Sequence, residues 1–276
     1  MRSPHPILKK FALALAWAIW TCAVIFLIQF LTAQVLVFLF SILPFTVSSA
    51  LAQTVFSLIS YALSAAIIFF APQKLAELLR KKHPKVKPDD LNTDHALLGL
   101  NELPTWTDIG LAPVGLIVYA LFASALTSIF SIFPWFQISE AQDVGFNNLF
   151  VTSDRIFAFI TLVIIAPIAE ELIFRGFLYQ KIKNLFYQKS TEKSPHRERK
   201  TRHKSEITAI IIASLITSVA FGVMHGQWNV GVNVFAMSIV LCIMREITGS
   251  IYSGVLLHML KNAIAFYLLY IATMGF

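Results

Sequence analysis

Apolar runs too long for a soluble domain fix what this chain can become. Residues 11–43, 47–72, 111–133, 154–186, 206–224, 230–246 and 251–274 form seven hydrophobic stretches, and about 20 helical residues suffice to cross a hydrocarbon core. Inside lipid every backbone polar group must find a partner within the protein, which leaves helices or a closed barrel. A barrel strand needs only about 9–11 residues, so these runs read as helices. The expected fold class is all-α: a polytopic membrane helix bundle of about seven transmembrane helices with a buried polar site. With 57% hydrophobic and 13% charged residues among 276, the composition excludes an ordinary soluble domain.

The net charge of +7 suggests a nucleic-acid partner only until the charges are located. Arg2, Lys9 and Lys10 precede the first stretch. Lys74, Arg80, Lys81, Lys82, Lys85 and Lys87 follow the second, a charged loop from Lys181 to Lys204 follows the fourth, and Arg245 closes the sixth. If the spans alternate, all of these fall on one side. That is the positive-inside pattern, and it predicts a cytoplasmic N-terminus, a C-terminus on the opposite side and no nucleic-acid binding. The expected location is a multi-pass position in a bacterial inner or plasma membrane. The basic, apolar start resembles a signal peptide, but its apolar run extends well past a signal core of about 7–15 residues, so it reads as an uncleaved first span. Cys22 and Cys242 lie inside apolar runs and read as small core or lipid-facing residues.

Against this background the stretch "VIIAPIAEELIFRGFLY", residues 163–179, carries Glu170, Glu171 and Arg175 inside a span. The fifth stretch ends in "FGVMHG" with Phe221 and His225, and the seventh holds "HMLKN" with His258, Lys261 and Asn262. Ionisable groups in a span are costly and normally face a bundle interior or a wet cavity. Glu171 and Arg175 are one helical turn apart and can pair. Glu170 points about 100° away from Glu171. His258 and Asn262 share a face, and Phe221 lies one turn below His225. One buried histidine or one Glu–Arg clamp would read as structure. Three spans that each supply such groups read as a common site.

A carboxylate beside a neutral imidazole can take a proton from water, and a second imidazole with a carboxamide can donate to the resulting oxyanion. No serine or cysteine stands beside a histidine in a nucleophile motif. Two histidines and a glutamate also match an open zinc site, although "HExxH" is absent. Direct water activation is the favoured reading, and a divalent metal such as zinc stays open. Lys261 has no assigned role beyond helix packing or a reach toward Glu246 or a loop.

In order, "EELIFR", "FGVMH" and "HMLKN" resemble the E-E-x-x-x-R, F-x-x-x-H and H-x-x-x-N motifs of the CPBP intramembrane endopeptidases, which include the type II CAAX prenyl proteases and bacteriocin-processing or immunity (Abi-like) proteins. The likeness covers about residues 110–274. It implies Glu170 as catalytic carboxylate and His225 as its partner in activating water. His258 and Asn262 would form the oxyanion site, with Glu171 and Arg175 in support. It also implies a membrane-associated peptide or protein as substrate, in a lipid bilayer. The domain division that follows is 1–110, two N-terminal helices and a cytoplasmic connector, and 111–276, a protease-like core. Two rivals stand beside the peptidase: a non-enzymatic immunity or scaffold protein that binds a peptide or partner in the same cavity, and a proton-relay transporter. Oligomeric state is open. For His225 to meet Glu170 and His258, the fifth helix must begin inside the charged loop, since its rise of about 1.5 Å per residue otherwise carries His225 too far.

Overall fold

The computed structural model describes residues 6–44, 46–82, 95–100, 102–140, 142, 145–146, 149, 151–187 and 195–272. Arg2, the connector's 83–94 stretch, the charged loop's 188–194 stretch and residues 273–274 of the seventh apolar run lie outside these.

Among the described residues the chain is helical throughout, with no strand. Seven helices or helical rods are long and apolar enough to cross a membrane. They are α1 (Pro6–Ser41), α2 (Ser49–Lys82), α4 (Trp106–Phe130), a composite rod from Thr152 to Phe186, α8 (Pro195–Val223), α9 (Trp228–Thr248) and α10 (Tyr252–Tyr270). A single turn, α3 (His95–Leu98), lies in the connector. The seven expected stretches are therefore seven helical spans. The second continues through Pro72 to Lys82, beyond the expected end at residue 72. The fifth begins at Pro195, inside the charged loop, as its required reach demands.

The helix ends are held by local chemistry. Thr105 caps α4: its hydroxyl accepts from the Asp108 amide, and Asp108 Oδ2 accepts from the Thr105 amide at 2.9 Å. Such a capping box satisfies two donors that a helix start leaves unpaired. Ser250, in the turn between α9 and α10, donates to Asp108 Oδ1 at 2.7 Å. The start of α4 and the α9–α10 turn are thereby pinned together.

Packing brings the first two helices onto the rest. Phe177 of the composite rod meets Trp17 of α1 edge-on at 5.5 Å and Phe69 of α2 at 5.4 Å. At the α8–α9 hairpin, a Cβ at Gly222 would sit 2.9 Å from the Gly231 carbonyl oxygen. Only glycine permits that backbone approach, as small residues do where membrane helices cross closely. Outward-facing Phe26, Phe30, Phe38, Leu121, Ile211 and Leu268 are exposed, a surface suited to acyl chains rather than water.

The composite rod is the least regular element and the most informative. It runs as α5 (Thr152–Phe159), a π segment (Ile160–Ile165), α6 (Ala166–Glu171), a second π segment (Leu172–Leu178) and α7 (Tyr179–Phe186). The six-residue α6, which carries both glutamates, is thus bracketed by π turns. Each π turn shifts the helical phase, and such turns are frequent at functional sites.

Candidate active site

Glu170 and Glu171 reach the same imidazole from two sides. His258 Nδ1 lies 3.2 Å from Glu171 Oε1, and His258 Nε2 lies 3.8 Å from Glu170 Oε2. The neighbours that helical spacing splays about 100° apart thus flank one ring. They differ in access: the Glu171 side chain is 0% exposed and that of Glu170 is 17% exposed, so Glu170 is the carboxylate open to the cavity.

Glu171 is committed to structure. Its Oε1 also accepts from Arg175 Nη1 at 2.9 Å, the one-turn pair that the spacing predicts. Arg175 stacks its guanidinium over the Phe221 ring at 4.4 Å, a cation–π contact strengthened by exclusion of water. Gly254 makes room for Glu171: a Cβ there would stand 3.0 Å from Glu171 Oε2. Phe221 touches more than the turn above it. Its ring is edge-on to Phe174 at 4.8 Å, to His225 at 5.0 Å and to His258 at 6.1 Å, so one buried side chain spaces the site.

Hydrogen bonds set the two imidazoles. His225 Nδ1 lies 2.8 Å from the Phe221 carbonyl oxygen. A carbonyl only accepts, so Nδ1 carries the proton and Nε2 keeps its lone pair. His225 sits in the 224–227 turn, outside the spans. Burial pushes its pKa below the ordinary 6.5, against the opposing pull of Glu170 and the Phe221 carbonyl, while Lys261 and His258 push it further down. At neutral pH the ring is uncharged and able to accept a proton. His258, with Nδ1–H given to a carboxylate, turns Nε2 toward Glu170.

Asn262 is explained by the rod it faces. In the π register the amide that would reach the Leu162 carbonyl belongs to residue 167, which is Pro167 and has none. Asn262 Nδ2 donates to that carbonyl at 2.8 Å. One of its two N–H groups is therefore spent on the helix that carries the glutamates.

Glu170, His225, His258, Asn262 and Phe221 all line one cavity of about 290 Å³. The structure adds residues that the sequence did not single out. Tyr61 of α2 donates its hydroxyl to Glu170 Oε1 at 2.5 Å, and Gln29 of α1 and Gln142, which lies between α4 and the composite rod in sequence, also line the cavity. No periodic signal marks a tyrosine or glutamine in an apolar helix, and α1 and α2 lie outside the motif-bearing stretch. Lys261 also lines the cavity and does not reach Glu246, which pairs instead with Lys183. A larger groove of about 540 Å³, lined by Leu126, Phe130, Gly222, Trp228 and Phe235 among others, has no ionisable residue in its lining; the titratable chemistry sits in the smaller cavity.

Among the described residues no group of three His, Cys, Asp or Glu side chains is arranged to hold a metal ion. Each histidine gives one ring nitrogen to a carbonyl or a carboxylate and keeps the other toward the cavity.

Fold and site together define a polytopic membrane protein that keeps an acid, two imidazoles and a carboxamide in an internal cavity. Comparison with family models then finds that residues 152–264 match the family described as Type II CAAX prenyl endopeptidase Rce1-like. That stretch is thus similar to the CAAX protease family, as the three motifs suggest, and the seven long apolar helices mark an integral, multi-pass membrane protein. Searches of curated proteins and of solved structures return no significant match.

Proposed function

We propose that this protein is an intramembrane endopeptidase that hydrolyses a peptide bond of a membrane-associated peptide or protein. The observation that carries the reading is the shared cavity of Glu170 and His225, one carboxylate open to it and one imidazole with Nε2 unprotonated. A water between them would give a proton to Glu170 while His225 Nε2 accepts its second hydrogen, which aims the oxygen at the scissile carbonyl. Tyr61 would hold Glu170 in place. Glu171 and Arg175 would keep His258 and Phe221 positioned. The lysine- and arginine-rich segments support a cytoplasmic N-terminus, with the C-terminus across the membrane.

The test compares membrane peptidomes of cells that express the wild type or Glu170→Gln, with both proteins quantified in the membrane. Peptides released only by the wild type support the hydrolase. Identical peptidomes, with both proteins inserted, would favour a peptide-binding immunity or scaffold role.

A further inference from the structure

The cavity has a closed end and an open end. On α10 its lining runs from His258 to Tyr270, with nothing from the first turns of that helix. On α8 it takes the last turns, Phe221 to His225, and on α9 the first half, Val234 and Met237. Gln29, Tyr61 and His258 each stand about 18 Å, by the helical rise of about 1.5 Å per residue, from a helix end, at Ser41, Ser49 and Tyr270 respectively. These ends share one face of the bundle with the α8–α9 turn. Polar contacts mark the rim there: Asn229 donates to the Glu140 carbonyl at 2.7 Å, and the Tyr270 hydroxyl donates to the Phe146 carbonyl at 3.0 Å. Gln142, between these two in sequence, lines the cavity, as does Leu269, which is 55% exposed.

The other end is sealed. Phe174 and Phe221 line it, and behind them Ile173, Phe177, Leu178, Tyr179 and Leu257 are fully buried. The connector is clamped over this end. A Cβ at Gly176 would stand 3.0 Å from the Leu98 carbonyl oxygen, and one at Gly99 would stand 2.7 Å from the Arg245 guanidinium carbon. Arg245 donates to the Leu97 carbonyl at 3.3 Å, and the Ile251 amide donates to the Gly99 carbonyl at 3.3 Å. Lys10, Lys74, Lys183 and Arg245 all belong to this end, the one that the positive-inside pattern places in the cytoplasm.

We infer that the substrate reaches Glu170 from the face opposite the lysine- and arginine-rich segments, so that it is a polypeptide exposed outside the cytoplasm and not a cytosolic tail. This rests on the endopeptidase reading. An extended chain rises about 3.3 Å per residue, so about five residues bridge the 18 Å from the rim to the depth of His258. The substrate therefore offers an unfolded segment or a free terminus of at least that length. A backbone that enters a membrane protein must find hydrogen-bond partners on the way. Gln29 and Gln142, on the cavity wall, bring amides that both donate and accept.

The test uses the full-length chain in sealed membrane vesicles, right-side-out and inverted, and has two arms. In the first, Cys22 and Cys242 are replaced by alanine and one cysteine is introduced at a time: Gln29→Cys at the depth of His258, Ser139→Cys on the rim's face, and Lys204→Cys at the basic end. Ser139 and Lys204 are both exposed. A membrane-impermeant sulfonated maleimide reacts with the thiolate, which needs water. Gln29→Cys and Ser139→Cys are expected to label in right-side-out vesicles and Lys204→Cys in inverted ones. Gln29→Cys labelled with Lys204→Cys, or from neither side, overturns the inference, as does Ser139→Cys labelled only in inverted vesicles. The second arm adds to the wild-type chain a synthetic peptide that spans a cleavage site found only with intact Glu170. Cleavage should occur in right-side-out vesicles, be lost in inverted ones and return when detergent opens them. Cleavage confined to intact inverted vesicles overturns the side of entry while the hydrolase stands. No product dependent on Glu170, even in detergent, sinks the hydrolase and with it the substrate.

Discussion

Glu170 has two oxygens, and Tyr61 decides which one works. The phenol donates to Oε1 at 2.5 Å and leaves Oε2 facing His258 and the cavity. A hydrogen bond to a charged group contributes about 1.5–3 kcal/mol, so Tyr61→Phe should reduce kcat about 10-fold to 100-fold. The ring still fills its place, so the fold should persist. Steady-state cleavage in liposomes measures this, and an unchanged kcat would remove Tyr61 from the site. Spacing alone reveals Glu171 with Arg175, because one helical turn fixes that contact before any tertiary structure is known. It cannot reveal Tyr61, which meets Glu170 across 109 positions and depends on how α2 docks. Nor can it show that Glu171 rather than Glu170 takes the Nδ1 side of His258, since that choice follows from the helical phase around α6. Lys261 stands out in the sequence as a charge in a span, but the wall it faces is set by the rotation of α10.

At the scale of elements, hydropathy exposes the seven spans because lipid imposes a length and an apolar surface on each. The π segments around α6 are not legible, since a 3.6-residue period assumes an unbroken helix. Their trace in the sequence is Pro167, which removes the amide that the Leu162 carbonyl would use. If Asn262 replaces that amide, the two residues are energetically coupled. Asn262→Ala should destabilise the protein by about 1 kcal/mol. The cost should shrink in a Pro167→Ala background, where residue 167 regains an N–H for Leu162. A double-mutant cycle by unfolding in detergent reads the coupling. Strict additivity would show that Asn262 does not serve the rod.

At the scale of the whole molecule, the bundle solves two problems at once. Its outer face is apolar, and its interior gathers side chains from α1, α2, the composite rod, the 224–227 turn and α10 around a single cavity. The first two helices, which carry none of the three motifs, contribute Gln29 and Tyr61 to that wall. Proton transfer in such a site requires His225 to be neutral. With its folded pKa below 6.5, the unfolded chain binds the proton more readily. Stability from the neutral ring is therefore present above about 6.5 and declines as pH falls through the window beneath it. Cleavage should decline in the same direction.

The most direct measurement is the single-turnover rate of peptide cleavage in liposomes, against pH, for the wild type, Glu170→Gln, His225→Ala and the double variant. Each single variant is expected to lose at least about 10²-fold, and the double variant should be little worse than either, as groups that act on one water do. The wild-type rate should fall on the acid side of pH 6.5. Wild-type cleavage by either single variant, in protein that inserts and folds, would contradict the shared-water site.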